Sequence, residues 1–255
     1  MLRCILTMQS VRAVTLDLGW TLAYPRVSIW EAFAAVCTRA GVPTEAEDCE
    51  RLIRSLSSAA QEEAERHFHH GASYSDSDEE FADMFVKMGQ IIFGQRGVAD
   101  GHSELMERFI EQFWGERNWS LFAEVHDVLA ALRARGLKLG VLSNAPSTLP
   151  AFIERLGLMR YLDFIVVSAI EGMRKPDGRI FAAALSRAGV APHETLHVGD
   201  MYFEDIVGGR AAGVNTLLIE RGRHALFPSY RESAGRNLDP RMVVSDLTEV
   251  IDRLG

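Results

Sequence analysis

The chain has 255 residues, 47% of them hydrophobic and 24% charged, and carries a formal net charge of −8. That is ordinary globular composition, with length for a real core in one large domain or two small ones. The acidic balance argues against a nucleic-acid surface, which needs a concentrated basic face, and no apolar run approaches the ~18 residues of a membrane span. Three cysteines, Cys4, Cys37 and Cys49, are too few and too N-terminal to frame a disulfide fold, and they read as reduced cytosolic thiols. The opening Met1–Met8 is too short and weak for a signal peptide.

Residues 11–16, Val-Arg-Ala-Val-Thr-Leu, are an apolar run that predicts a first strand, and Asp17 stands at its end. Residues 18–26 read as a tight, turn-rich segment. From about Ser28 to Trp119 the pattern is helical. Ser28 and Glu31 make a capping box, with Ile29, Phe33, Val36 and Cys37 at helical spacing behind it. Thr44 and Glu47 make a second box before a charged helical stretch at 45–70. Residues 71–77 read as a loop, and 78–95 and 102–117 as two amphipathic helices. With no strand expected inside it, this block reads as an all-helical insert.

After Ser120 the rhythm becomes strand–helix. The expected strands are 138–142, 163–167, 195–198, 214–219 and 241–244. The expected helices are 124–135, 147–156, 177–188 with Asp177 as N-cap, 203–212 and 246–254. Such alternation predicts right-handed crossovers and a parallel sheet. The fold class is therefore α/β: a Rossmann-like core at 1–26 and 120–255, with a helical domain inserted at 27–119.

Four polar signals each follow a short apolar run: Asp17, Ser143-Asn144, Lys175-Pro176, and Gly199-Asp200 with Asp205. In open α/β sheets, ligands bind at the carboxyl ends of the strands, so these residues should converge on one crevice. A carboxylate can attack phosphorus and split one hard displacement into two easier ones, which makes Asp17 the candidate nucleophile. Mg²⁺ takes one or two carboxylates plus water and phosphate oxygens. Asp17 and Asp200 suit direct ligation, and Asp205 suits ligation through water or support of the ligand shell. Only three of the 27 basic residues are lysines, Lys87, Lys138 and Lys175. A retained lysine in so arginine-rich a chain is informative, because the two cations are not interchangeable.

Together these motifs resemble the haloacid dehalogenase-like hydrolase superfamily along the whole chain, in the form whose helical cap follows the first motif. The resemblance implies an Mg²⁺-dependent phosphohydrolase that acts on a small phosphorylated metabolite through an aspartyl-phosphate. It implies Ser143, Asn144, Thr21 and Lys175 as the phosphate grip. It implies the backbone carbonyl of Gly19 as a metal ligand beside Asp17, Asp200 and Asp205. A cytoplasmic monomer or homodimer, with no nucleic-acid or membrane partner, completes the expectation.

One position departs from the family pattern. Gly19 stands where family phosphatases carry a second Asp that protonates the leaving oxygen. That keeps two alternatives open: a catalytically weakened ligand-binding or regulatory protein, and a dehalogenase or phosphonatase. The intact Asp200 and Asp205 speak against dehalogenation, and Lys87, the only lysine of the insert, reads as a surface residue rather than a Schiff-base former. His67 and His70 share a helix face without a third ligand nearby, and Gly208, Gly209 and Gly213 are not placed as a dinucleotide fingerprint.

Overall fold

The computed structural model describes residues 10–52, 76–95, 103–222 and 238–255. Six short strands form one parallel sheet: β1 (Ala13–Leu16), β4 (Lys138–Ser143), β5 (Phe164–Val167), β6 (Thr195–Gly199), β7 (Asn215–Ile219) and β8 (Val243–Val244). Their order is β5-β4-β1-β6-β7-β8. β1 and β6 are buried along their whole length, and β4 at every residue after Lys138. Both faces of the sheet are covered, which is why these strands read as continuous apolar runs rather than alternating ones. The strand order reverses beside β1, with β4 on one side and β6 on the other. That junction is where an open α/β sheet leaves a crevice.

The helical insert is observed where described. α1 (Ile29–Arg39) starts at the expected box: the Glu31 N–H donates to the Ser28 hydroxyl at 3.1 Å, and the Ser28 N–H donates to the Glu31 carboxylate at 2.7 Å. Residues 46–52 are helical, and α2 (Asp78–Gln95) and α3 (Ser103–Phe113) lie further along the chain. Aromatic rings bind these helices together. Phe33 stacks on Phe109 at 4.4 Å, and Phe81 lies 5.3 Å from both Phe85 and Trp114. The Cys4, His67 and His70 readings, and most of the 45–70 helix, fall outside the described residues.

Two local expectations are corrected. The helix expected at 102–117 ends at Phe113, and a 3₁₀ turn at Glu116–Asn118 follows. Residues 18–26 are not turn alone: β2 (Ala23–Pro25) pairs antiparallel with β3 (Trp119–Leu121). This small ribbon ties together the two ends of the helical insert. The Asn118 side chain supports it by accepting from the Val27 N–H at 3.0 Å and donating to the Phe113 carbonyl at 3.0 Å.

The remaining helices flank the sheet: α4 (Val125–Ala134), α5 (Leu149–Arg155), α6 (Ser168–Glu171), α7 (Gly178–Ala188), α8 (Gly208–Ala211) and α9 (Thr248–Leu254). Asp177 caps α7 as expected, its carboxylate accepting from the Arg179 N–H at 2.9 Å. The helix expected at 203–212 begins instead as a π-helical segment, Tyr202–Val207, and becomes α-helical only at Gly208. Such widened turns are frequent at functional sites.

Candidate active site

Three neighbouring strands deliver the site. Asp17 follows β1, Ser143 ends β4 and Asp200 follows β6, while Lys175 comes from the loop beyond β5. The Asp17 N–H continues the ladder by donating to the Val198 carbonyl at 2.9 Å, which fixes the backbone from which its carboxylate projects. Lys175 is 2% exposed. Its ammonium lies 2.5 Å from Asp205 Oδ1 and 3.3 Å from Asp17 Oδ1. Asp17, Asp200 and Asp205 each offer a carboxylate oxygen, and these atoms all lie within 4.8 Å of one another. Three carboxylates thus crowd around one ammonium.

The proton affinities follow from that crowding. Burial raises the pKa of Asp17, and Asp205 adds to the rise, while Lys175 and the Ser143 hydroxyl oppose it. Asp200 is pushed further up by burial and by both neighbouring carboxylates. Asp205 moves the other way. Burial would raise it, but the Lys175 charge and the hydrogen bond from His197 outweigh burial and hold it ionised. Burial likewise disfavours the Lys175 ammonium, yet Asp17 and Asp205 together raise its pKa.

The residues present fit a hard divalent cation. Asp200 Oδ1 is buried without a hydrogen-bond partner and Asp17 Oδ1 has only the Lys175 ammonium at 3.3 Å, and buried carboxylate oxygens are costly to leave under-satisfied. An oxygen-seeking cation satisfies both. Asp205 is less available than the sequence suggests. Its Oδ1 takes Lys175 Nζ and His197 Nε2, and its Oδ2 accepts from the Met201 N–H at 2.9 Å. Gly199 makes room for that carboxylate, since a Cβ there would lie 2.1 Å from Asp205 Cγ.

Asn144 is also spent differently from the expectation. Its amide donates to the Lys175 carbonyl at 3.0 Å and accepts from the Lys175 N–H at 2.8 Å. It clamps the loop that carries the ammonium rather than offering both groups to a ligand. Gly208 keeps that loop close from the other side: a Cβ there would meet the Pro176 backbone at 2.8 Å. The Thr21 hydroxyl is buried without a hydrogen-bond partner. Trp20 adopts φ 52°, in the left-handed region, and meets Trp119 edge to face at 5.4 Å. Its partly buried ring packs against the main hydrophobic core. Lys87 is paired with Asp83 at 2.6 Å on an exposed helix face, in keeping with its surface reading.

Sequence reasoning missed three residues around the site. His197 and Thr15 form a buried pair behind Asp205. Arg221 donates to the Thr21 carbonyl at 2.6 Å and to Glu124 at 2.5 Å, with its guanidinium 3.8 Å over the Phe122 ring. It thereby braces the loop that follows Asp17. The available signal for the first pair was a polar residue inside each of two largely apolar strands. For Arg221 there was none, because its partners lie 97 and 200 positions away.

The chain is similar to known hydrolases. The family model for haloacid dehalogenase-like hydrolases matches residues 11–213. The haloacid dehalogenase-like hydrolase domain-containing protein 3 of Homo sapiens is 31% identical over 226 residues, covering 88% of this chain and 87% of that protein. Its counterpart from Bos taurus is 34% identical over 151 residues, and the match spans 58% of this chain and 60% of that relative's length. A phosphoserine phosphatase from Thermus thermophilus is 36% identical over 154 residues, 60% of this chain and 59% of that one. Among solved structures, a predicted phosphoglycolate phosphatase from Haemophilus somnus superposes with a TM-score of 0.69 over 96% of this chain and 98% of its own, at 16% identity, a likeness of fold. With the family model covering most of the sequence and a relative aligned along nearly its full length, the chain belongs to the haloacid dehalogenase-like hydrolases.

Proposed function

We propose that this hydrolase is an Mg²⁺-dependent phosphatase for a small phosphorylated metabolite, with Asp17 as nucleophile. The observation that carries the reading is the Lys175 ammonium shared between Asp17 and Asp205, with Asp200 in the same carboxylate cluster. Asp17, Asp200 and the Gly19 carbonyl would hold the ion, and Asp205 acts chiefly as the anchor of Lys175. Mg²⁺, when bound, supplies positive charge against the carboxylates and the phosphate oxygens. The helical segment 27–119 serves as a cap that shields the crevice and selects the substrate.

The chain's own residues then have the following work. An Asp17 oxygen attacks phosphorus, a P–O bond to Asp17 forms, and the bond to the leaving oxygen breaks. Lys175 and the Ser143 hydroxyl stabilise the charge on the equatorial oxygens. Water then attacks the aspartyl-phosphate at phosphorus and releases inorganic phosphate with Asp17 restored. Position 19 has only hydrogen to offer, so the leaving oxygen departs without a proton from that side. The reading therefore favours substrates whose leaving groups are already acidic, such as aryl or acyl phosphates. A phosphatase also suits the phosphatase names among the relatives.

The test is a series of phosphate esters graded by leaving-group acidity, with and without Mg²⁺. The wild type should show a steep dependence of rate on leaving-group acidity. Gly19→Asp should flatten it. A Cβ at position 19 would meet Trp119 Cη2 at 3.9 Å, an ordinary van der Waals contact. The gain on alkyl esters should be at most ~10²–10⁴-fold, the usual share of general acid–base catalysis. A flat series in the wild type would show that another group already supplies the proton. Binding of phosphate and Mg²⁺ with no turnover of any ester would favour the weakened, ligand-binding reading instead.

A further inference from the structure

Thr15 on β1 and His197 on β6 are Cα partners across the parallel ladder. Both are buried, at 2% and 0% exposure. Thr15 Oγ1 lies 2.9 Å from His197 Nδ1, and His197 Nε2 lies 2.9 Å from Asp205 Oδ1. An ionised carboxylate can only accept, so Nε2 carries the hydrogen. In the neutral imidazole, Nδ1 is then the acceptor and the Thr15 hydroxyl the donor. Both ring nitrogens are satisfied, and the edge-to-face packing of Phe181 at 5.5 Å confines the ring.

The line continues through Asp205 Oδ1 to Lys175 Nζ and on to Asp17. An ammonium on a flexible four-carbon stem has no direction of its own; its acceptors aim it. The Met201 N–H and the His197 ring together fix the plane of the Asp205 carboxylate. We propose that Thr15 and His197 are positioning residues for Lys175: they lock Asp205 so that the ammonium is held toward Asp17 and the phosphoryl group. The proposal rests on the reading of Lys175 as the phosphate grip, and its test separates the two.

Only three lysines are present, and Lys87 and Lys138 are exposed. In protein labelled with ¹⁵N at lysine Nζ, the Lys175 ammonium should give the slowly exchanging signal. His197→Gln keeps an N–H donor toward Asp205, His197→Leu removes it, and Thr15→Val removes the hydroxyl behind the ring. The Lys175 signal should persist in His197→Gln, disappear into exchange in His197→Leu, and shift in Thr15→Val. Inorganic phosphate, titrated with Mg²⁺ present, should bind about tenfold more weakly to His197→Leu, the loss expected for a hydrogen bond to a charged group. The Gln variant should recover most of that loss. An unchanged Lys175 signal in His197→Leu, or equal losses in Leu and Gln, would overturn the proposal in favour of simple space filling. Should His197→Leu fail to fold, an unmoved signal in Thr15→Val overturns it and a shifted one supports it. A wild type that neither binds phosphate nor hydrolyses esters would end the phosphatase reading, while the Lys175 signals would still decide the positioning role.

Discussion

Asp17→Asn should lower turnover by at least ~10⁴-fold and leave the fold as stable as before or slightly more so. The first part follows from removing the attacking oxygen, since losing a nucleophile typically removes most of an enzyme's rate enhancement. The second follows from the direction of the Asp17 pKa, which burial and Asp205 push above the ordinary aspartate value. An acid whose folded pKa is raised destabilises the fold once the pH exceeds its unfolded pKa. An uncharged amide of the same shape avoids that cost. The stability gain should therefore be absent below about pH 3.5 and present at neutral pH. Thermal melts of both proteins across this range, alongside steady-state rates, check the prediction. Activity within tenfold of wild type would remove Asp17 from the mechanism.

The second large effect separates two carboxylates that look alike in the sequence. Asp205→Ala should destabilise the protein by about 3–5 kcal/mol, because it breaks a buried ion pair and leaves the ammonium only the more distant Asp17, and it should remove activity as well. Asp205 is fully buried and ionised, with Lys175 and His197 both directed at it. Asp200→Ala should do the reverse to stability. Its carboxyl is raised well above the ordinary range by burial and by Asp17 and Asp205, so its removal relieves repulsion in the metal-free protein. It should still abolish activity and the response to Mg²⁺, because a direct ligand is lost. The sequence alone suggested the milder effect for Asp205, as a water-mediated ligand. The occupied oxygens of Asp205 make its loss the larger one for stability. Equal stability of the two variants, or an unchanged Mg²⁺ midpoint in Asp200→Ala, would contradict this division of roles.

What was legible in the sequence was what periodicity and strand ends can carry. The buried parallel strands stood out because both of their faces are covered, and Asp17, Ser143 and Asp200 stood out because each lies at the end of such a run, while Lys175, beyond the short helix after β5, stood out as one of three lysines. The β2–β3 ribbon did not. Each strand has three residues, too short for any period to show, and their pairing joins segments on opposite sides of the helical insert. Asn144 lies beside Lys175, but its clamp on the Lys175 backbone was not legible because it depends on a loop 31 residues away. His197 was hidden for the same reason. Its polarity makes sense only once β1 and β6 lie side by side and the π-helical turn brings Asp205 back over Gly199.

The central claim is that the phosphoryl group passes through Asp17. The most direct measurement is a rapid acid quench during turnover of an aryl phosphate, followed by proteolysis and mass spectrometry of the peptide containing Val11–Arg26. The account predicts one added phosphoryl group on Asp17, present with Mg²⁺, absent without it and absent in Asp17→Asn. Sustained hydrolysis with the phosphoryl group on another residue, or with undiminished rate in the absence of Mg²⁺, would contradict it.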